Sequence, residues 1–297
     1  MKPILFAPFG VEFPAYTTLL LTGFLVAVWL ARREADRVGL PGEKIVDLGL
    51  AMLVAGIAGA RILSVLTDGM LMDFVHLCTD PKLVRARDAL VDTCTADAQC
   101  GFDYLCDLAT HRCYPPRDCL AALKFWNGGL TYYGGLIAAV PAGLYLARRW
   151  KLGALRTADL VAPYLMIGLF FGRLGCFFNG CCYGAPTDSW VGVVFPPHPD
   201  RPHVPLHPVQ LYEAVAVLAI AAVLYGVVRP RRRADGEVFG WMLALYAVWR
   251  FVVEFWRIDQ RGGLGPLATS QWLSIPLATA GGWLIWRARR ASATIGA

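Results

Sequence analysis

Long apolar runs alternate with short polar segments along most of this chain of 297 residues. A helix needs about 20 consecutive apolar residues to cross the hydrocarbon core of a bilayer. Seven runs come close to that length, so the pattern predicts seven membrane-spanning helices. They are expected near residues 14–31, 45–66, 128–147, 158–179, 209–228, 238–257 and 269–286.

Four basic segments set the predicted orientation of these helices. The segments ARREADR, ARRWK, RPRRR and RARR follow the first, third, fifth and seventh runs. Because cytoplasmic loops are enriched in lysine and arginine, all four segments are expected in the cytoplasm. The N-terminus is then outside and the C-terminus inside. No cleavable signal peptide is predicted, because the stretch ILFAPF is too short for the apolar core of one.

The composition agrees with a membrane protein. Hydrophobic residues make up 57% of the chain and charged residues only 17%, below the quarter that is typical of soluble domains. The sequence therefore predicts an all-α integral membrane protein. The net charge of +6 comes largely from the basic segments beside the apolar runs, so it does not indicate a nucleic-acid-binding surface.

A polar segment at residues 67–127 interrupts the apolar pattern and is expected outside the cell membrane. Six cysteines in such a segment predict up to three disulfides, whose pairing cannot be deduced, with a zinc site as the alternative. We expect a transmembrane domain formed by residues 1–66 and 128–297, and a cysteine-rich insert at 67–127 whose role is structural. The six cysteines are Cys78, Cys94, Cys100, Cys106, Cys113 and Cys119.

Charged side chains also occur inside the predicted spans, where their cost makes each a candidate for function. A few of these charged residues lie at cytoplasmic helix ends. With the predicted orientation, all the others lie in the outer half of the membrane. They are Arg61, Arg173, Arg250, Arg257, Glu213 and Glu254, and His207, Gln210, Tyr132 and Tyr133 lie at the same depth.

Spacing places several of these residues on shared helix faces. Arg250, Glu254 and Arg257 are four and then three residues apart, so they lie on one face and Glu254 can pair with both arginines. The excess of arginine predicts an anionic ligand, because a guanidinium group binds phosphate through two parallel hydrogen bonds. At the depth of the outer leaflet, the simplest such ligand is a phospholipid headgroup.

Each of these residues also has a structural interpretation. A single arginine could reach the interface or brace a neighbouring helix, most readily Arg257 near a helix end. Glu213 and Glu254 could serve only as partners of arginines. His207 precedes a proline at a helix start and could have a capping or loop role.

Six motifs in order resemble those of the prolipoprotein diacylglyceryl transferase family. The stretch GRLGCFFNGCCYG at 172–184 is similar to the family pattern G-R-x-G-N-F-x-N-G-E-x-x-G. Five further stretches resemble segments of the family: GARILSVL, YYGGLIAAV, HPVQLYEA, YAVWRFVVEFWRIDQ and SQWLSIPLATAG. In addition, GFLVAVWLARREA looks like the family's first span. The resemblance covers nearly the whole chain apart from the insert.

The resemblance implies a lipid transferase of the bacterial inner membrane. Such an enzyme moves the diacylglyceryl group of phosphatidylglycerol to the thiol of a lipobox cysteine in a prolipoprotein, forming a thioether and releasing glycerol phosphate. Its site would face the outer leaflet. The implied partners are phosphatidylglycerol and prolipoprotein signal peptides, with no nucleic acid, no cofactor and no metal.

The resemblance also assigns roles to residues. Arg173 and Arg250 would hold the phosphate and stabilise the charge that develops on it. Asn179 and Gly184 would shape the headgroup pocket, and Glu254 would orient Arg250. The remaining expected lipid contacts are Arg61, Arg257, His207, Gln210 and Glu213.

Three positions depart from the family pattern. Cys176 stands where the family has asparagine, Cys181 where it has glutamate, and Tyr133 where it has histidine. If that histidine is the general base of the family, the phenol group of Tyr133 stands in its place here. The phenol could orient the acceptor thiol. Tyr133 is therefore a candidate catalytic residue.

Three cysteines, Cys176, Cys181 and Cys182, lie within the signature stretch and face an oxidising compartment. A disulfide between Cys176 and either of the other two is one expectation. Buried thiols are the second, and a metal or redox site is the third.

Two other functions are open at this stage. A family paralogue could bind lipid or a protein partner without the transferase activity. A membrane thiol oxidoreductase that uses quinone would explain nine cysteines, but the sequence contains no CxxC motif and such an enzyme has no need of several intramembrane arginines.

The candidate role of Tyr133 predicts different effects for two adjacent hydroxyl deletions. Tyr133→Phe should lower the rate of diacylglyceryl transfer far more than Tyr132→Phe, because only the former removes the hydroxyl that stands in for histidine. Initial rates measured with a lipobox peptide would check this. Equal and mild effects of the two substitutions would show that thiol activation lies elsewhere.

Overall fold

The computed structural model describes residues 4–6, 13–67, 71–84, 93–100, 104–125, 129–196, 203–257, 263–264 and 267–295. Parts of the sequence predictions lie outside these residues. They are residues 7–9 of the ILFAPF stretch, the predicted start of the third span at 128, residues 258–260 of the YAVWRFVVEFWRIDQ motif, and segments of the insert.

The long apolar runs are helical, and each predicted span overlaps one long helix. A short helix inside the insert, α3, was not predicted. The helices are α1 (Ala15–Arg37), α2 (Gly42–Thr67), α3 (Leu71–Cys78), α4 (Tyr132–Arg149), α5 (Ala154–Asn179), α6 (Val209–Val223), α7 (Glu237–Val253) and α8 (Thr269–Ile295). Helix α6 continues through a π-helical turn, Leu224–Val228, into a 3-10 turn, Arg229–Arg231, and α7 ends in a 3-10 turn, Glu254–Trp256.

Five of these helical segments are long and apolar enough to cross a membrane, among the residues described: Ala15–Arg37, Gly42–Thr67, Ala154–Asn179, Val209–Arg231 and Glu237–Trp256. Their outer faces carry large apolar side chains that no protein surface covers. Leu25 on α1 and Val54 on α2, for example, are 56% and 67% exposed. Such faces are typical of helices in contact with lipid, which supports an all-α membrane protein.

Three short antiparallel pairs of strands occur outside the helices. They are β1 (Ile4–Phe6) with β2 (Phe13–Pro14), β3 (Leu105–Asp107) with β4 (Arg112–Tyr114), and β5 (Gly263–Leu264) with β6 (Leu267–Ala268). The strands have two or three residues each, too few for an alternating apolar pattern to appear in the sequence.

The backbone divides into two compact units. One consists of residues 1–46 and 147–297, and the other of Asp47–Leu146. In the first unit, α5 contacts α1, α6 and α7, and α7 contacts α8. Its largest apolar core lies between α5, α6 and α7 and contains Ala162, Met166, Val217, Ile220, Ala221, Leu224, Val238 and Met242.

Buried polar contacts fix the ends of the helices in this first unit. The Asp159 carboxylate on α5 accepts hydrogen bonds from the backbone N–H groups of Gly236 and Phe239, both at 2.8 Å. These donors lie at the start of α7, where backbone N–H groups have no partner within the helix. Glu34 on α1 pairs with Arg229 beyond α6. A network of charged groups thus joins α1, α5, α6 and α7 at the ends opposite to Asn179.

The second unit contains α2, α4 and the insert. Helices α2 and α4 approach closely, and a Cβ atom at Gly134 would lie 2.6 Å from the Cβ atom of Leu63. The six cysteines of the insert lie in three pairs at disulfide distance: Cys78–Cys119, Cys94–Cys106 and Cys100–Cys113. The spacing of the cysteines left this pairing open. Cys78 and Cys119 join the two ends of the insert, and the other two pairs lie between them and alternate along the sequence.

Close contact between α7 and α8 predicts opposite effects for two adjacent glycines of α8. A Cβ atom at Gly281 would lie 2.6 Å from the carbonyl oxygen of Gly240 and 2.8 Å from the backbone nitrogen of Ala244. Because helix backbones cannot yield locally, Gly281→Ala should destabilise the protein by about 1–3 kcal/mol. Thermal unfolding in detergent would measure this.

The matched control is Gly282→Ala, where an added Cβ atom meets nothing within 4 Å. That substitution should leave the melting temperature unchanged or raise it, because alanine favours the helix. Equal melting temperatures of the two variants would contradict the close contact of α7 with α8 at Gly281.

Candidate functional site

A buried ion pair between α5 and α6 is the centre of the candidate site. The Arg173 guanidinium lies 2.8 Å from the Glu213 carboxylate, and the Glu213 side chain is completely buried. The Tyr246 hydroxyl, on α7, donates a hydrogen bond to the same carboxylate oxygen at 3.3 Å. Three helices thus supply one polar cluster, because a charge inside an apolar bundle is stable only with a partner.

The polar cluster retains unused hydrogen-bonding capacity. Arg173 Nε, Gln210 Oε1 and Glu213 Oε2 are buried and have no hydrogen-bond partner among the described residues. Nearly all buried polar atoms in proteins have a partner, so each exception needs a reason. These three atoms lie on neighbouring side chains and are available to a polar ligand or a buried water molecule.

A second ion pair lies farther along α7. Arg250 Nη1 donates to Glu254 Oε2 at 2.7 Å, and both side chains are largely buried. The pairing agrees with the spacing of four residues in the sequence. Arg250 also lies one helical turn beyond Tyr246, so it shares the face of α7 from which Tyr246 reaches Glu213. The second arginine is therefore on the same side of α7 as the first polar cluster.

Backbone hydrogen bonds hold the loop after α5 against the start of α6. The N–H group of Gly184 donates to the carbonyl of His207 at 2.8 Å, and Gly184 forms a bridge with Arg257. A Cβ atom at Gly184 would lie 2.5 Å from Val209 Cγ2 and 2.9 Å from the Cβ atom of His207. Only glycine fits at this position, so the loop is fixed closely on α6.

The histidine at this junction contacts a tyrosine. Nδ1 of His207 lies 3.0 Å from the hydroxyl of Tyr212, one turn into α6. Gln210 is fully buried, and its amide nitrogen donates to the carbonyl oxygen of Cys181 at 2.6 Å. Loop and helix are thus joined by side chains as well as by the backbone.

The three signature cysteines are thiols in the structure. The expected disulfide between Cys176 and Cys181 or Cys182 is not formed, and the three sulfur atoms all lie within 4.8 Å of one another. The Cys181 thiol has a pKa above its ordinary value: a hydrogen bond with Cys176 lowers the pKa, but contact with Cys182 and burial raise it by more. The Cys181 thiol is consequently protonated at neutral pH.

The other predicted site residues are distributed over both units of the backbone. Asn179 is the last residue of α5 and is exposed, and Arg257 follows the last turn of α7. In the second unit, Tyr132 and Tyr133 begin α4 and both are exposed. Arg61 donates to the carbonyl oxygens of Ala121, Ala122 and Gly129 at 2.8, 2.8 and 3.1 Å, which attaches the base of the insert to α2.

Two tyrosines of the site were not among the predicted residues. Tyr246 precedes Arg250 by four residues, and Tyr212 follows His207 by five. The helical spacing of Tyr246 and Arg250 is a signal that could have identified Tyr246. Tyr212 contacts His207 through a turn at the start of α6, which spacing does not predict.

A sequence model of the prolipoprotein diacylglyceryl transferase family matches residues 3–90 and 95–287 of this chain. Several curated proteins that are similar over nearly their full length are each named phosphatidylglycerol–prolipoprotein diacylglyceryl transferase. One from Geobacter sulfurreducens is 31% identical over 282 residues, which cover 93% of this chain and 91% of that protein. One from Clostridium tetani is 29% identical, with 93% of each chain covered, and one from Nitratidesulfovibrio vulgaris strain DP4 is 33% identical, with 92% and 89% covered.

The buried ion pair predicts a specific pattern of stabilities. Glu213→Leu leaves Arg173 without its partner, and removal of one member of a buried pair destabilises a protein by about 3–5 kcal/mol. The double substitution Arg173→Met with Glu213→Leu removes both charges and should recover most of that loss. Thermal melts of the three proteins in detergent would test this.

An exposed ion pair supplies the matched control. Lys82, which is 59% exposed, pairs with Asp107 at 2.7 Å, and Lys82→Ala should leave the melting temperature nearly unchanged, because solvent screens an exposed ion pair. If the double variant were less stable than the Glu213→Leu variant, the charges of Arg173 and Glu213 would not stabilise each other in the folded protein.

Proposed function

The chain belongs to the prolipoprotein diacylglyceryl transferase family, and we propose that it transfers the diacylglyceryl group of phosphatidylglycerol to the lipobox cysteine of prolipoproteins. It is a transferase, and the thioether that it forms is a step of lipoprotein maturation. Phosphatidylglycerol and prolipoproteins are the substrates that the names of its relatives state.

One structural observation carries this proposal: two arginine–carboxylate pairs and three unpartnered polar atoms lie between apolar helices. A phospholipid headgroup supplies what this arrangement lacks. Its phosphate accepts hydrogen bonds from guanidinium groups, and its glycerol hydroxyls can donate to Glu213 Oε2 and Gln210 Oε1. Its acyl chains require the apolar surroundings.

The chemistry needs positive charge at the leaving group. The acceptor sulfur attacks a glycerol carbon, the bond from that carbon to the phosphate oxygen breaks, and the phosphate leaves with added negative charge. Arg173 and Arg250 act by stabilising this charge, and their paired carboxylates hold the guanidinium groups in position beforehand. Because the pairs are already formed, little reorganisation is needed as the charge develops.

An apolar groove offers a place for an acyl chain of the donor. It has a volume of about 620 Å³ and runs along α6 and α7, between Trp249 and Trp256. Trp249 immediately precedes Arg250, and Trp256 follows Glu254 by two residues, so the groove lies at the same level along α7 as the second ion pair. A lipid could therefore place its tail in the groove with its headgroup toward the arginines.

The topology of the proposed enzyme has seven spans, with the N-terminus outside and the C-terminus in the cytoplasm. Helices α4 and α8 would be the two spans in addition to the five that length and composition identify. Three cysteine pairs at disulfide distance in the insert support an oxidising compartment on that side. The active site would then open toward the outer leaflet of the bacterial inner membrane.

The remaining predicted roles stay part of the proposal. Asn179 and Gly184 border the headgroup pocket, Arg257 and His207 lie at its mouth, and Tyr133 orients the acceptor thiol. Arg61 is retained as a lipid contact, although three backbone carbonyls already accept from its guanidinium group. Residues 1–66 and 128–297 form the transferase domain, and 67–127 form an insert with a structural role.

Complementation tests the proposed function directly. In a bacterium whose own diacylglyceryl transferase is shut off, expression of this chain should restore the diacylglyceryl-modified cysteine of a reporter lipoprotein, measured by mass spectrometry. Two negative results together would contradict the proposal. The inserted protein would leave the reporter unmodified in the cell, and the purified protein would fail to modify a lipobox peptide in the presence of phosphatidylglycerol.

The same assay with Arg250→Ala should give no modified reporter, because the substitution removes a buried charge that stabilises the leaving phosphate. Arg287→Ala is the matched control, since Arg287 is exposed on α8 and stacks on the ring of Trp283. Near-normal modification by the Arg250→Ala protein would exclude Arg250 from the reaction.

A further inference from the structure

Three cysteine sulfurs form a compact group beside the Arg173–Glu213 pair. The Sγ atoms of Cys176, Cys181 and Cys182 all lie within 4.8 Å of one another. Cys176 belongs to the last turn of α5 and is buried, while Cys181 and Cys182 follow in the loop and are half-buried. Among the described residues, this is a group of three potential metal ligands outside the cysteine pairs of the insert.

The backbone holds this group in place. The Cys181 N–H group donates to the carbonyl of Cys176 at 3.1 Å, and Gln210 donates to the carbonyl of Cys181 at 2.6 Å. Cys182 has a positive φ of 63°, which costs free energy for a residue other than glycine. The surrounding hydrogen bonds therefore maintain a backbone that brings three thiols together.

The size of the group matches a thiolate-bound metal ion. A zinc–sulfur bond is about 2.3 Å, so sulfurs in a tetrahedral site are about 3.8 Å apart. The observed separations, up to 4.8 Å, approach this value after small side-chain rotations. Three protein ligands also leave one of the four tetrahedral positions for a further ligand, as in catalytic zinc sites.

The charge of the surroundings suits such a complex. Zn²⁺ with three thiolates carries one net negative charge, and Arg173 precedes Cys176 by three residues on α5, so the two side chains share one helix face. A guanidinium group stabilises an adjacent anion. Soft thiolate ligands favour zinc and similar ions over magnesium or calcium.

We propose that Cys176, Cys181 and Cys182 bind one Zn²⁺ ion, and that its fourth position takes the acceptor thiol of the lipobox cysteine. The second part rests on the proposed transferase function. A free cysteine thiol is mostly protonated at neutral pH, and the thiolate is the nucleophile. Coordination to zinc removes the proton of a thiol outright, so the site would supply the acceptor in its reactive form.

The proposed step balances. The three protein thiols release their protons to water when zinc binds, and the acceptor thiol releases its own when it enters the fourth position. The acceptor sulfur then forms a bond to the glycerol carbon of the donor. The carbon–oxygen bond to the phosphate breaks with its electron pair on oxygen, and glycerol phosphate leaves beside Arg173. No oxidant or reductant takes part.

Metal content and spectroscopy test the site independently of activity. The full chain, purified in detergent without chelator, should contain one zinc per molecule by elemental analysis, and Cys176→Ser should lose it. The matched control is the double substitution Cys78→Ser with Cys119→Ser, which removes two cysteines from the insert and should retain the zinc. Zinc-free wild-type protein that also fails to take up added Zn²⁺ would overturn the proposal, as would a disulfide within the group of three in protein isolated without reductant.

Cobalt reports on the fourth position. Protein loaded with Co²⁺ should show the visible bands of a tetrahedral thiolate site, and a lipobox peptide should shift them. The same peptide with serine in place of its cysteine should cause no shift. Equal spectra with both peptides would overturn the role in thiol binding.

Transfer assays separate this proposal from the proposed function. Removal of zinc should abolish transfer to the lipobox peptide, and zinc should restore it. Full transfer by zinc-free protein would overturn the metal's role and leave the transferase function standing. Bound zinc and a peptide-dependent cobalt spectrum without any transfer would support the site and refute the transferase function.

Discussion

The cost of placing charged side chains inside an apolar helical bundle governs the arrangement of this protein. Arg173, Glu213, Arg250 and Glu254 lie on helices whose other faces suit lipid, and each is stable there because an opposite charge lies within about 3 Å. These pairs determine which faces of α5 and α6 meet and hold the second arginine in place along α7. In the proposed function, the same positions hold preorganised positive charge for the phosphate of the donor lipid, so structural and functional requirements coincide.

The junction between α5 and α6 converts this arrangement into a site. Gly184 allows the loop to lie directly on Val209 and His207, and Gln210 closes the contact from the side of α6. A larger residue at Gly184 would move the loop away and would also displace Cys181 and Cys182 from Cys176, which belongs to α5. The signature stretch thus carries the three thiols, one partner of the buried ion pair and the glycine that lets its loop lie on α6.

The insert obtains its stability in a different way. Many of its described large apolar side chains, Leu105, Leu108 and Leu123 among them, are exposed, and three buried cysteines, Cys94, Cys100 and Cys113, form its centre. Small modules without a large apolar core are commonly stabilised by disulfides. The contacts of Arg61 with backbone carbonyls of Ala121, Ala122 and Gly129 attach it to α2, so a residue predicted to bind lipid also serves to anchor the insert.

The sequence by itself determined the helical class and the approximate bounds of the long helices, because apolar runs of this length have few other stable structures in a membrane. It also identified the family, the placement of Arg250 and Glu254 on one face of a helix, and an insert that disulfides could stabilise. Only the tertiary structure decided which cysteines pair, that Glu213 is the partner of Arg173, and that Tyr246 completes their cluster. These outcomes depend on contacts between residues far apart in the chain, and local periodicity carries no information about which helix faces will meet. For the same reason the disulfide expected at Cys176 was wrong: adjacency in sequence suggested a bond, whereas the loop geometry holds three thiols around a common centre.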